Sequence, residues 1–308
     1  MESSMRNLKI GLALGGGGAR GGIHIGVLKV LEEHQIPVHC IAGTSIGALL
    51  GGLYSLTLDA RAVEKRLFDY LKSEVFGEAR FSFLSGTPSE DRDRLFSRIS
   101  SFVKKEYILN VALSRPCIYR RKHFLETLSF FLKDMRIEET LIPFAAVATD
   151  LESGEEVILC TGSLLDAVYA SITYPGVVEA VRLDGRLLVD GGVTSLIPVA
   201  AARKLGADLV IAVNPEPPIS ARIESLCGIE VLFRADDIMG AELAAVKSKE
   251  ADVLIFPGKG EAKWYEFEKA PEYISIGEKA AEEKIPEIRR LMKPGLFKRI
   301  LKGFHPCT

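Results

Sequence analysis

Short apolar runs alternate along this chain with longer stretches in which apolar residues recur every three or four positions. The runs at 8–14, 38–42, 143–149, 156–160, 187–189, 209–213 and 253–256 read as strands. Several are too continuously apolar to leave a solvent-facing side, the pattern of strands buried on both faces. Between them, Ile23, Val27, Val30 and Leu31 fall on one helical face, as do Ile46, Leu49, Leu50, Leu53 and Tyr54. Further helices are predicted over 163–171, 198–205 and 275–292. Strands separated by helix-length segments predict an α/β fold, a mainly parallel central sheet with helices on both faces.

From 73 to 139 the rhythm changes to polar helices at 91–105 and 121–135, interrupted by Phe81, Phe83 and Leu84 and by a Ser85-Gly86-Thr87-Pro88 turn. This reads as a helical insertion, either a cap over a site or a peripheral layer. No linker-like tract or charge block divides the chain. One domain over 1–308 is therefore expected, with its core at 8–256 and a C-terminal helical extension at 262–308. The stretch 34–58 lacks Asp, Glu, Lys and Arg and is long enough to imitate a membrane span. Pro37 and the glycine turn within it favour a buried strand-turn-helix unit instead.

Two glycine-rich turns carry the candidate chemistry. In Gly43-Thr44-Ser45-Ile46-Gly47 a serine stands between glycines where a strand gives way to a helix. Such a sharp turn exposes the central side chain in a strained conformation, and the glycines remove Cβ atoms that would collide, so Ser45 is the candidate nucleophile. Upstream, the run from Gly15 to Gly22, broken only by Ala19 and Arg20, lies between a strand and a helix. Bare N–H groups there can hold an anion, either a phosphate or a transient oxyanion. A dinucleotide site would need a carboxylate closing the second strand, and residues 38–42 have none. A phosphate-binding P-loop would need Lys and then Ser or Thr after the glycines, where this chain has Arg20 and Gly21. An oxyanion loop serving Ser45 accounts for both turns together.

A serine nucleophile needs a base. The five histidines are His24, His34, His39, His123 and His305, and only His305, near the chain end, follows the acid in the usual triad order. A carboxylate acting directly is the alternative. Asp190-Gly191-Gly192 follows a strand-like segment and either presents such an acid or forms an Asp-Gly turn between two strands. Asp150, at a strand end, and Asp166, inside a helix, have no glycine turn to expose them. His24 reads as a packed or capping residue. The five cysteines are scattered without metal-ligand spacing.

Taken in order, Gly16-Gly17-Gly18-Ala19-Arg20-Gly21, Gly43-Thr44-Ser45-Ile46-Gly47 and Asp190-Gly191-Gly192 resemble the G-G-G-x-R-G, G-x-S-x-G and D-G-[GA] motifs of the patatin-like phospholipase family. The segment from Ala170 and Ser171 to Pro175 and the Thr149-Asp150-Leu151 step before Gly154 are similar to further landmarks of that family. The resemblance implies a three-layer α/β/α fold and a dyad in which Asp190 takes the proton of Ser45 directly. It also implies oxyanion donors at Gly16, Gly17 and Gly18, motif support from Arg20, Gly43, Gly47 and Gly191, and neither metal nor cofactor. Arg20 either braces the glycine loop, attracts a phosphate head group or forms a surface ion pair. The implied substrate is a lipid or other acyl ester. Acyl transfer to an alcohol and a non-catalytic, phosphate-binding regulatory role are the competing readings. One departure stands out: where the family often has Asn shortly before Pro, this chain has Thr194-Ser195-Leu196-Ile197-Pro198.

Bulk properties limit partners more than chemistry. A net charge of -2 argues against nucleic acid. An odd cysteine count and no leader-like start favour a reducing, cytoplasmic setting. Residues 293–304 mix Lys and Arg with large apolar side chains, which reads either as peripheral contact with the inner membrane face or as a packed or frayed helix.

Overall fold

Four strands are buried along their whole length and form the middle of the sheet: β1 (Ile10–Leu14), β2 (Cys40–Thr44), β3 (Phe144–Asp150) and β7 (Leu209–Val213). The computed structural model describes residues 8–77, 121–219, 228–258 and 266–293. β4 (Glu156–Leu159), β5 (Val181–Leu183), β6 (Arg186–Asp190) and β8 (Val253–Ile255) complete the sheet, whose order is β5-β6-β3-β2-β1-β7-β8, with β4 also on β3. Pairing is parallel from β3 through β2, β1 and β7 to β8, and antiparallel where β3, β4, β5 and β6 meet. The sheet is thus mixed but mainly parallel.

One detail of the register positions the site. β4 covers residues 146–149 of β3, while β2 pairs with 144–147 and β6 with 148–150. Since a strand has only two edges, β2 and β6 must share the edge opposite β4. They run toward each other along it and stop head to head, Thr44 beside Val147 and Asp190 beside Ala148. The two elements bearing Ser45 and Asp190 therefore end at one point.

Side chains alternating along the strands enter two separate cores. Leu12, Leu14, Ile41, Phe144 and Ile211 pack under α1 (Gly22–Glu33), α2 (Ile46–Thr57), α3 (Ala60–Leu71) and α9 (Ala270–Leu291), with α4 (Arg121–Phe131) and α5 (Leu164–Ser171) adding to that layer. Ala13, Ala42, Val147 and Val210 pack against α7 (Val199–Lys204) and against Ala244 of α8 (Gly228–Lys247). A sheet between two helical layers is a three-layer α/β/α arrangement.

Most expected elements lie within a few residues of their places, and the charge-free stretch is β2, its turn and α2. No helix among the described residues is long and apolar enough to cross a membrane. The late helix begins at Ala270, ahead of the expected 275, and buries Tyr273, Ile274, Ile285 and Ile288 along α1. Among the strands and α-helices, four were not anticipated: β5, α8, a short helix at Gly192–Ser195, and α3, whose buried Ala60, Val63, Leu67 and Tyr70 nevertheless have helical spacing. The expected helix at 91–105 and the C-terminal segment at 294–308 lie outside the described residues.

Candidate active site

The turn after β2 holds Ser45 at φ 55° and ψ -124°, a region costing a non-glycine residue about 1–3 kcal/mol. Its neighbours explain why it persists. A Cβ on Gly43 would strike the Gly47 carbonyl and Ala48, and one on Gly47 would strike the carbonyl of Leu14. The turn is therefore pressed against both its own helix and β1. The Ser45 N–H donates to Ser171 Oγ at 3.0 Å, and that hydroxyl donates to the Val147 carbonyl at 2.6 Å. The Ser45 carbonyl accepts the Ala48 and Leu49 N–H groups and so opens α2.

Asp190 arrives from the opposite direction. β6 runs into a short helix, α6 (Gly192–Ser195), so its glycines form a strand-to-helix turn and not a turn between strands. The Asp190 N–H donates to the Thr173 carbonyl at 2.9 Å, and Oδ1 accepts the Gly192 N–H at 2.8 Å. A Cβ on Gly191 would collide with the Val147 carbonyl. The Ser45 side chain lies near enough to the Asp190 carboxylate to favour its ionised form. Asp190 is 4% exposed, and burial pushes its pKa from 3.8 up to about 6, against the lowering effect of the nearby Ser45 side chain and of the Gly192 N–H.

The segment that departs from the family pattern ties the acid turn to its surroundings. Thr194 Oγ1 shares a 2.8 Å bond with Thr149 Oγ1, the Ser195 carbonyl accepts Thr44 Oγ1 at 2.8 Å, and the Leu196 carbonyl accepts the Gly16 N–H at 3.0 Å. That last bond narrows the expected set of oxyanion donors, because the Gly16 N–H is already engaged. Gly17 and Gly18 have no acceptor for their N–H groups among the described residues. The loop lies against the nucleophile: a Cβ placed on Gly16 would sit 3.4 Å from that of Ser45.

Arg20 braces this loop, its Nε donating to the Gly17 carbonyl at 3.2 Å while its guanidinium pairs with Glu216 at 2.6 Å. Fully buried His24 holds the loop from beneath through Nε2 and the Gly15 carbonyl, 2.8 Å apart. Burial pushes its pKa down to about 4, so the ring is neutral near pH 7 and Nε2 carries the hydrogen it donates. Asp150 closes its own turn by accepting from Glu152 and Ser153, and Asp166 pairs with Arg121, so neither joins Ser45. Sequence reasoning gave no role to Ser171, Thr173 or Glu216. Ser171 was visible only as part of a family landmark.

A family model described as patatin-like phospholipase matches residues 12–203, more than half of the chain. The chain belongs to the patatin-like phospholipase family. This patatin-like chain is 31% identical over 255 residues to mouse patatin-like phospholipase domain-containing protein 6, covering 79% of itself but 17% of that protein. It is 33% identical over 206 residues to an NTE family protein of Mycobacterium tuberculosis, covering 67% of itself and 49% of the relative. It thus spans about a sixth to a half of the length of these curated relatives. Among solved structures, VipD from Legionella pneumophila is similar over 90% of this chain and 66% of that one, with 14% identity and a TM-score of 0.45.

Proposed function

We propose that this patatin-like domain is a serine hydrolase that cleaves fatty-acyl esters of lipids, with Ser45 as nucleophile and Asp190 as its base. The observation that carries this reading is that β2 and β6 end head to head, which brings Ser45 next to the buried carboxylate of Asp190. An ordinary carboxylate is a weak base for a hydroxyl, and desolvation makes Asp190 a stronger one that is still ionised near neutrality.

In the acylation step the Ser45 oxygen bonds to the ester carbonyl carbon while its proton passes to Asp190. The carbonyl oxygen becomes an oxyanion that the Gly17 and Gly18 N–H groups, unengaged among the described residues, would receive, each such donor contributing about 3 kcal/mol to the barrier reduction. Collapse expels the alcohol, which takes the proton from Asp190, and leaves Ser45 acylated. Water then gives its proton to Asp190 and attacks the acyl carbon. Departure of Ser45, reprotonated by Asp190, releases the fatty acid. Arg20 and His24 support this chemistry through the carbonyls of the glycine loop.

Fluorophosphonate labelling with peptide mapping tests the reading. The adduct is expected on Ser45, absent from Ser45→Ala and strongly slowed in Asp190→Asn, with ester turnover down by about 10⁴-fold or more in both. An adduct on another residue, or full esterase activity in either variant, overturns it. Product analysis with a competing alcohol separates hydrolysis from acyl transfer.

A further inference from the structure

One side chain from the segment that departs from the family pattern reaches both halves of the candidate site. Leu196 follows α6, and Pro198 opens α7 two residues later. Ile197 and Val199 are fully buried, so the backbone beside Leu196 is firmly anchored. Its side chain enters space that two glycines leave open. A Cβ on Gly16 would meet Leu196 Cδ1 at 2.9 Å, and a Cβ on Gly192 would meet the same methyl group at 3.3 Å. The Gly16 position lies 3.4 Å from Ser45 Cβ, and the Gly192 position lies 3.2 Å from Asp190 Oδ1. The methyl group is therefore one glycine away from the nucleophile on one side and one glycine away from the acid on the other.

The leucine's backbone acts on the same neighbours. Its carbonyl accepts the Gly16 N–H at 3.0 Å, which holds the glycine loop against the acid turn. Cδ2 lies 3.9 Å from the Cβ position of Gly240, so α8 covers part of its other side. Hydrocarbon in this place excludes water and offers a carboxylate no hydrogen bond, which disfavours the ionised form. Few charged or titratable groups share the task among the described residues. Asp236 of α8 pushes the Asp190 pKa upward, but it is exposed and its charge is screened by water. Tyr174 lies near Asp190 and donates to Asp236 at 2.5 Å. Arg20 of the glycine loop is held by Glu216, with Asp237 close to that pair. Burial outweighs these charges as the cause of the raised Asp190 pKa.

We infer that Leu196 is a positioning residue for the proposed reaction: it wedges hydrocarbon between the glycine loop and the acid turn, keeps water from the Asp190 carboxyl and so makes that group a base for Ser45. The inference rests on the Ser45–Asp190 reading above and adds what keeps the acid basic. It also gives the departure from the family pattern a consequence. An Asn side chain here would solvate the carboxylate and donate a hydrogen bond to it, and both effects favour the ionised form.

The test compares full-length wild type with Leu196→Asn, Leu196→Ala and Leu196→Met. One readout is the pH–rate profile of kcat on a nitrophenyl ester. The other is the titration of the Asp190 carboxyl itself, followed by carbon NMR of labelled aspartates and assigned through Asp190→Asn. The wild-type carboxyl should titrate near 6. Leu196→Asn and Leu196→Ala should each move both midpoints down by about one pH unit and lower kcat above the midpoint roughly threefold or more, with KM little changed. Leu196→Met, similar in volume and also apolar, should leave the midpoints in place. A leucine that only packs would cost stability when replaced and leave the midpoints unmoved. Unmoved or raised midpoints in whichever of the Asn and Ala variants folds therefore overturn the inference, as does a wild-type carboxyl that titrates near 3.8. If NMR shows the downward shift while wild type turns over no ester, the hydrolase reading fails and the effect of Leu196 on Asp190 stands.

Discussion

The turn that presents Ser45 and the turn that presents Asp190 meet at one point yet are stabilised by different means. The Ser45 turn is shaped chiefly by exclusion: Gly43 and Gly47 touch backbone so closely that no side chain fits at either position. The Asp190 turn has one such contact, at Gly191, and is otherwise held by hydrogen bonds, from its N–H to the Thr173 carbonyl, from the Gly192 N–H to its carboxylate, and through Thr194 and Ser195 to β3 and β2. Steric exclusion fixes a strained backbone and tolerates no relaxation. A hydrogen-bonded turn fixes the direction of a charge and can be loosened by degrees. The division suits the proposed roles, since a nucleophile needs a rigid approach and a base needs a tuned surrounding.

The difference is broken most severely at Gly47. Gly47→Ala would drive a Cβ into the Leu14 carbonyl between α2 and β1, where neither element can withdraw without opening the sheet. The expected loss is about 3 kcal/mol or more, read in urea unfolding, with activity lost in whatever still folds. Wild-type stability in this variant would mean that exclusion does not define the turn.

A smaller effect, of opposite sign, belongs to the acid. Burial raises the Asp190 pKa from 3.8 to about 6, so between those pH values the folded protein binds a proton that the unfolded chain releases. Stability contributed by the protonated carboxyl is fully present below the lower value and is lost as pH rises through the upper one. Asp190→Asn removes this penalty and should stabilise the protein on the order of 2 kcal/mol at neutral pH, with the advantage fading toward pH 4. Activity of the wild type should rise with pH through about 6 as the base ionises. Thermal melts of both proteins across pH test the stability effect, and a pH–rate profile tests the activity. An Asn variant no more stable than wild type at pH 7 would show that Asp190 is not desolvated as argued.

The same contrast explains what could be read in the sequence. Exclusion leaves a local signature, since glycines two residues either side of a serine are visible without knowing the fold. Both turns and the strands leading to them were therefore legible. The hydrogen bonds were not, because Thr44 and Ser195 are 151 positions apart, Ser45 and Ser171 are 126 apart, and Ser and Thr are too common to nominate partners. The engagement of the Gly16 N–H by Leu196 was hidden for the same reason. β5 has only three residues and so little pattern to find. α8 escaped because Val231, Leu232, Ile238, Met239 and Val246 are exposed on it, and that blurs the periodicity that marks a helix packed on a core.

The gentlest way to sharpen the comparison is at the Thr149–Thr194 pair, where two hydroxyls 2.8 Å apart join α6 to β3. Thr149→Val and Thr194→Val each keep the branched shape and remove one partner, so each should cost about 1 kcal/mol. The double variant should cost less than the sum, with a coupling energy near 1 kcal/mol in a double-mutant cycle, because the second substitution no longer breaks an intact bond. The kinetic readout separates the two turns. If the acid turn is the adjustable half, these variants should lower kcat a fewfold by letting the carboxylate drift, while fluorophosphonate still finds Ser45 in its unchanged elbow. Additive stability effects with unaltered kcat would show that the hydroxyl pair does not help to aim Asp190, leaving Thr173, Gly192 and the contact at Gly191 to do so.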